Sequence, residues 1–358
     1  MPSVSSTITL STVLPFSIKT MERQNWWFRA IRPEFWPYWA IYAPVGVYAA
    51  FSAIRAWSCS FWSATNPGIP TGGMLGENKA DIGLLIPASY RPASCVIRRD
   101  LDLAEQLEQS GVKFPVVAKP TIGRRGRKVE KLQNVAELAS FLGKYSDDFL
   151  VEQFIDAPIE AAVYYWRNPE TGKSGISSVA LKAFLSVTGD GISTIAQLLA
   201  ADPRRQLQLP RLIRQQPKLM ELVLQNGETR LLEPIGNHNR GTTFLDARHL
   251  ITPKMLAAFD HIHSQLSGIW LCRFDLKATS LDDLETGQNL LIMEINGVCA
   301  ELAHIYQPGY PLLKLWGDTL RQWRKIYEIG TANHRLGAKY LTWTAFFAYN
   351  RREKASLR

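Results

Sequence analysis

Apolar positions along this chain follow two repeat lengths, and the change from one to the other outlines the elements. "FPVVAKP" (114–120) and "DFLVEQFI" (148–155) are short apolar runs of strand length, the first ended by proline. Between them "VAELASFLGKY" (135–145) spaces its apolar residues three and four apart, which predicts an amphipathic helix. Residues 79–115 predict a short helix, an extended segment over Ser94–Ile97 and a helix from Leu101 to Gln109. From Glu160 to Leu185 the pattern predicts a long hairpin turning at "NPETGK". Residues 193–225 read as helix broken by proline. "TPKMLAAFDHIHSQLSG" (252–268) has a capping threonine, Pro253 at its start and Gly268 at its end, the marks of a complete helix. "WLCRFDLKA" (270–278) and "NLLIMEI" (289–295) are consecutive strands joined by the polar turn "TSLDDLETGQ".

The N-terminal part has another character. Residues 1–25 are expected to be disordered: the first twenty are rich in Ser and Thr and carry no positive charge before Lys19, a poor secretory signal. Met21 opens a more convincing start. Residues 26–62 form an aromatic-rich hydrophobic helical segment, uncharged from Phe35 to Ala53, a stretch long enough to cross a bilayer. Trp26, Trp27, Trp36, Trp39, Trp57 and Trp62 surround it and Arg29, Arg32 and Arg55 flank it, as at membrane interfaces. Pro37 and Pro44 count against a straight spanning helix. Two readings stand: attachment to the inner membrane face through residues 35–57, spanning or re-entrant, or a buried helical hairpin packed on the main domain. Residues 63–78, rich in Gly, Pro and Asn, read as a linker, residues 79–329 as the main domain and 330–358 as a basic tail. From Arg335 onward the tail carries six Lys or Arg against one Glu around "YLTWTAFFAY", a solvated helix or one that rests on anionic lipid.

Composition narrows the function classes. With 358 residues, 46% apolar and 20% charged, the chain is globular with two or three subdomains. A net charge of +9 calls for an anionic partner. Nucleic acid is set aside, because the core lacks an aromatic and basic platform; a nucleotide or a membrane surface remains. Cys59, Cys95, Cys272 and Cys299 have no metal-type spacing and read as buried thiols of a reducing, cytoplasmic compartment, with neither disulfide nor zinc.

The chemistry gathers in "LLIMEING" (290–297). Glu294 and Asn296, two apart, share a strand face and both offer oxygen. Arg273 and Asp275 do the same one hairpin earlier. Asp275, Glu294 and Asn296 could hold Mg²⁺ or Mn²⁺ between phosphates, with Arg273 neutralising a transferring phosphoryl group or oxyanion. A strand surfacing in an Asn-Gly turn, or an Arg273–Glu294 salt bridge, is the plain alternative. Lys119 ends an apolar strand before Gly123 and Gly126, where a lysine and open backbone N–H groups can meet phosphates. The extended backbone at Gln153, Phe154 and Ile155 could pair an adenine edge, with Glu152 and Glu160 on the exocyclic amine and ribose. Lys182 is a second buried-looking lysine on a strand.

The order Lys119, glycine loop, Glu152 and Glu160, Lys182, Arg273-x-Asp275, Glu294-x-Asn296 resembles the ATP-grasp superfamily over residues 79–320. It is most similar to the D-alanine–D-alanine ligase-like and cyanophycin-synthetase-like members, the latter also through "VTGDGISTI". The resemblance implies an α+β fold of two lobes sandwiching ATP, phosphates on Lys119 and Lys182, metal on Asp275, Glu294 and Asn296, and Arg273 as transition-state stabiliser. Lys79 matches loosely an additional phosphate-binding lysine, with a surface lysine as the other reading. Two departures stand out. Arg124, Arg125 and Arg127 occupy the glycine loop, and the hydrophobic segment replaces the N-terminal substrate domain. Around the proposed metal site, Asn237, His238, Arg240, Glu301, His304 and Tyr306 are candidate substrate residues. Arg240 suits a carboxylate, and Glu301 or His304 suits proton transfer from an amine. The expected activity is an ATP-dependent ligase joining a small carboxylate to an amine or thiol through an acyl phosphate, with release of ADP and phosphate. A kinase-like phosphotransferase and a non-catalytic nucleotide-binding membrane adaptor are the rivals.

Overall fold

The computed structural model describes residues 25–75, 78–123, 128–236 and 238–356. Gly126 and Asn237 of the expected site, and Arg124, Arg125 and Arg127, lie outside them. Its strands are β1 (Ser94–Ile97), β2 (Val116–Pro120), β3 (Glu130–Leu132), β4 (Phe149–Gln153), β5 (Ile159–Arg167), β6 (Ser174–Ala183), β7 (Ser186–Thr188), β8 (Thr229–Leu231), β9 (Thr243–Asp246), β10 (Leu271–Ala278) and β11 (Leu290–Asn296). Two compact units divide the chain. The larger holds residues 42–181, 246–305 and 313–358; the smaller holds the described residues up to 41, 182–245 and 306–312. Antiparallel sheets with helices give the α+β class that the resemblance implied.

In the larger unit one sheet runs β1-β4-β2-β3, every neighbour antiparallel. Helices Leu103–Ser110 and Val135–Leu142 start where Asp102 and Asn134 accept from the N–H groups of Glu105 and Glu137. Leu107, Val116, Leu138, Phe141, Phe149 and Val151 close this core. The second sheet runs β11-β10-β5-β6 over the β5–β6 hairpin, which turns at residues 168–173. Helix Pro253–Ser264, capped by Thr252, contributes Met255, Phe259 and Ile262 to a core with Val163, Phe274, Leu276 and Ile292. The polar turn before β11 contains a short helix, Leu281–Thr286, capped by Ser280.

Much of the Gly/Pro-rich stretch read as a linker is buried, residues 63–66, 69 and 71–73 among them. Thr65 and Asn66 are 0% exposed. Asn66 Nδ2 donates to the carbonyls of Gly72 and Leu271 at 3.1 and 2.8 Å, and its Oδ1 accepts from the N–H groups of Trp270 and Leu271. Helix Leu312–Arg335 packs on the same stretch: Asn333 donates to Ala64 and Thr65, and a Cβ at Gly330 would lie 2.6 Å from the Phe61 carbonyl. Only glycine allows that approach.

Residues 35–57 give helix Tyr38–Ala56, with Pro44 inside it. Among the described residues no helix is long and apolar enough to cross a membrane, so the spanning reading is corrected. Two of the four thiols depart from expectation as well: Cys272 is buried, but Cys59 and Cys299 are exposed.

The smaller unit packs helices Ile195–Ala200 and Leu209–Gln215 on the β7–β8 pair around Val187, Ile195, Leu199, Leu212 and Met220. Thr194 and Gln197 form a capping box. Beside this core His238 lies among Phe35, Phe244 and Tyr306, with ring centroids 5.6, 6.0 and 5.5 Å away. Burial, and then the Arg204 guanidinium, push its pKa down to about 4. An unfolded histidine titrates near pH 6.5, roughly. Between these values the folded state binds fewer protons, so stability is full above the upper value and falls as pH drops towards the lower, by up to ~3 kcal/mol. The urea midpoint should decline over that window, and His238→Phe should flatten the decline. An unchanged slope in the variant would contradict this origin.

Candidate functional site

β10 and β11 pair with Arg273 opposite Asn296 and Asp275 opposite Glu294. Opposed residues of an antiparallel ladder share a face, so all four side chains project together. Just beyond Asp275 the register shifts by a bulge, which closes the regular ladder next to the cluster. Arg273 grips Asp275 in two contacts, Nε to Oδ1 at 3.1 Å and Nη2 to Oδ2 at 2.8 Å. Its Nη1 donates to the Glu301 carbonyl at 3.3 Å. Asn296 Nδ2 donates to Asp275 Oδ2 at 3.0 Å. The salt bridge considered from the sequence, Arg273 with Glu294, is therefore made with Asp275 instead.

Glu294 is paired with Lys79. Burial pushes the Glu294 carboxyl up, but Lys79, Lys119 and Arg273 outweigh it and hold the pKa at about 2, so Glu294 is ionised. For Arg273 burial works against the charge, and Asp275, Glu294 and Glu301 prevail, so the guanidinium is held above its ordinary range. Lys119, on β2, sits 2.7 Å from Glu152 Oε2 and donates to the Met293 carbonyl at 3.3 Å. Lys79, Lys119, Glu152 and Glu294 bound a cavity of about 120 Å³, walled by Leu150 and Ile292 among others. Two strands of the first sheet, β11 of the second and the start of helix Lys79–Leu85 thus bring two lysines and two carboxylates together. A charged cavity of this kind suits an anion that can displace the carboxylates from the ammonium groups.

The remaining expected residues fall into three groups. The N–H groups of Gln153 and Phe154 already donate to the carbonyls of Ala93 and Pro115, and the Ile155 carbonyl accepts from Lys277 at 2.9 Å. An adenine edge cannot use those two N–H groups as they stand, whereas the Ile155 carbonyl keeps a second lone pair. Glu160 lies 3.4 Å from Lys277, whose ammonium also sits 4.9 Å from the Phe154 ring centre. Gly123 follows β2 where a Cβ would lie 2.9 Å from the Pro120 ring.

The substrate candidates are divided between the two units. Arg240 and Tyr306, with the phosphate-site candidate Lys182, belong to the smaller unit, where Arg240 lies 3.5 Å from Glu233 and Tyr306 beside His238. Glu301 and His304 belong to the larger, where the Glu301 carboxylate accepts from the Tyr42 hydroxyl at 3.1 Å. His304 is no solvated loop residue. It is fully buried, with Nδ1 2.7 Å from Ser178 Oγ and Nε2 3.1 Å from Asp318, which also meets Arg248 and Arg321.

Lys277 was legible but overlooked, since it continues the Arg273 and Asp275 alternation past the bulge. Tyr42 and Asp318 carry no signal in the sequence, because each is defined only by what folds against it.

Among the described residues no group of three or more His, Cys, Asp or Glu gathers as a metal cage. Asp275, Glu294 and the Asn296 carboxamide nevertheless form an all-oxygen set on one face, with Glu294 ionised, and that chemistry fits a hard cation.

No family model and no curated protein matches this sequence. Several solved structures are similar to it. The bifunctional glutathione synthetase from Pasteurella multocida is 16% identical, over 70% of this chain and 37% of its own, with a TM-score of 0.39. The D-alanine–D-alanine ligase from Bacillus anthracis complexed with ATP is 12% identical, over 73% and 69%, at 0.42. The L-amino acid ligase from Bacillus licheniformis is 13% identical, over 62% and 40%, at 0.34. This chain spans little more than a third of the glutathione synthetase. All three are ligases or synthetases by name, and at these identities nothing of their substrates passes to this chain.

Proposed function

We propose that this chain is an ATP-grasp enzyme that joins a carboxylate to an amine or thiol and releases ADP and phosphate. The observation that carries the reading is the shared face of β10 and β11. It places one arginine and three oxygen-bearing side chains beside a strand that Lys79 and Lys119 both reach. A non-catalytic adaptor has no use for that set.

In this reading the terminal phosphates of ATP take over Lys79 and Lys119 from Glu294 and Glu152. Asp275, Asn296 and Glu294, once parted from Lys79, would hold Mg²⁺, and that ion would supply positive charge to the phosphates. The carboxylate substrate attacks the γ-phosphorus, the bond to the ADP oxygen breaks, and an acyl phosphate forms. The amine then attacks the acyl carbon, loses a proton, and inorganic phosphate leaves. Arg273, held cationic and fixed at both ends by Asp275 and the Glu301 carbonyl, faces the negative charge of both steps without reorganising.

ADP release that requires both a carboxylate and an amine, with hydroxylamine trapping the acyl group as a hydroxamate, is the expected result. Appearance of AMP and pyrophosphate, or ADP without hydroxamate, would contradict the mechanism. The paired change Lys119→Met with Glu152→Gln, which leaves no unpaired buried charge, should raise the KM for ATP about tenfold. An unchanged KM would remove Lys119 from the phosphate site.

A further inference from the structure

Helix Tyr38–Ala56 turns an apolar stripe outward. Ile41, Val45 and Ser52 are buried, while Trp39, Val47, Phe51 and Ile54 are 77, 75, 56 and 74% exposed. Val47, Phe51 and Ile54 follow a three-to-four residue spacing, Trp39 lies eight residues before Val47, and the helix's first cation is Arg55. A helix on a water-facing surface carries its polar residues on that side.

A second element continues the surface within the larger unit. In helix Trp343–Ser356 the side chains of Trp343 and Phe347, one turn apart, are 57 and 53% exposed with stacked rings 6.0 Å apart. Arg351 lies one turn further on, also exposed. The two elements are clamped together. Ser60 Oγ donates to the Leu341 carbonyl at 2.7 Å, Leu341 N–H donates to Ser63 Oγ at 2.8 Å, and the Trp62 and Phe346 rings lie 6.0 Å apart. Trp57, at the end of the first helix, is 96% exposed.

Along the two chain segments that carry this surface cations predominate, although Arg335 is paired with Glu170. No Asp or Glu occurs from Phe35 to Gly76, and from Ile329 to the C-terminus six Lys or Arg stand against Glu353 alone. Arg55, Lys339, Arg351 and Lys354 are all exposed. Aliphatic and tryptophan side chains rimmed by cations match a headgroup region with anionic phosphates. A second copy of this chain would bring the same cations against each other.

We propose that the outward stripe of helix Tyr38–Ala56 and the Trp343–Phe347 face dock this chain peripherally on an anionic bilayer surface. The apolar side chains enter the headgroup boundary and the arginines and lysines meet lipid phosphates. Nothing in this docking depends on the ligase chemistry.

Cosedimentation of the full chain with phosphatidylcholine vesicles, with and without phosphatidylglycerol and with no nucleotide present, tests it. Binding should require phosphatidylglycerol and weaken with salt. Arg55→Gln with Arg351→Gln should lower partitioning about 25-fold, roughly fivefold per cation. Val47→Ser, Phe51→Ser and Ile54→Ser together should lower it at least about tenfold, with the thermal midpoint held because these side chains are exposed. Absence of binding by the parent chain, or equal binding by both variants, would overturn the docking. So would a concentration-dependent dimer that the serine variant dissociates while the parent binds no vesicles.

Discussion

Arg273→Ala is expected to lower turnover about a thousandfold while changing the KM for ATP only a few-fold. Arg273 is fixed before any substrate arrives, by two contacts to Asp275 and one to the Glu301 carbonyl, so its charge is aimed without further ordering. Such a group contributes most where negative charge develops, which is why kcat rather than KM should carry the loss. The alanine variant also releases Asp275 from its partner, so a fall in melting temperature is expected alongside. Arg273→Lys separates the two effects. It retains a cation for Asp275 and therefore the fold, yet a lysine cannot form the two-pronged contact, and turnover should still fall steeply. A lysine variant with parental kcat would remove Arg273 from the reaction.

Asn66→Ala is expected to cost the larger unit about 3 kcal/mol, the sum of several lost buried hydrogen bonds. One carboxamide satisfies two carbonyls and two N–H groups at a site that water does not reach. Alanine leaves those backbone groups unpaired and cannot replace them with solvent. The effect reaches the site. The carbonyls of Gly72 and Gly73 accept from the N–H groups of Val298 and Cys299, the residues that follow Asn296, at 3.1 and 3.0 Å. Loosening Asn66 therefore frees the turn that ends β11. A urea midpoint close to that of the parent would show that the stretch 63–75 is not the clip described.

How much of this was legible in the sequence depends on the range of the interaction. The shared face of Arg273, Asp275, Glu294 and Asn296 needs only the two-residue period of a strand and a hairpin of modest length, and both are written locally. The helix at Pro253–Ser264 and the hairpin at 168–173 were legible for the same reason: a capping threonine, a proline and a polar turn act within a few residues. Register came almost free, since a slip by one residue would expose Phe274, Leu276 and Ile292.

Partner choice was another matter. Local composition made residues 63–78 look like a linker, because Gly, Pro and Asn are turn formers wherever they occur. Burial of Asn66 depends instead on Trp270 and Leu271, some two hundred residues away. His304, a candidate for proton transfer at the site, is enclosed by Ser178 and Asp318. The pairs Lys79–Glu294 and Lys119–Glu152 are likewise contacts between separate elements, and they set which carboxylate an anion must displace from each lysine. A one-dimensional pattern encodes the direction in which each side chain leaves its own backbone. Which opposite charge, carbonyl or apolar surface waits there follows from how distant segments pack, because burial removes water as the alternative partner and makes those few contacts decisive.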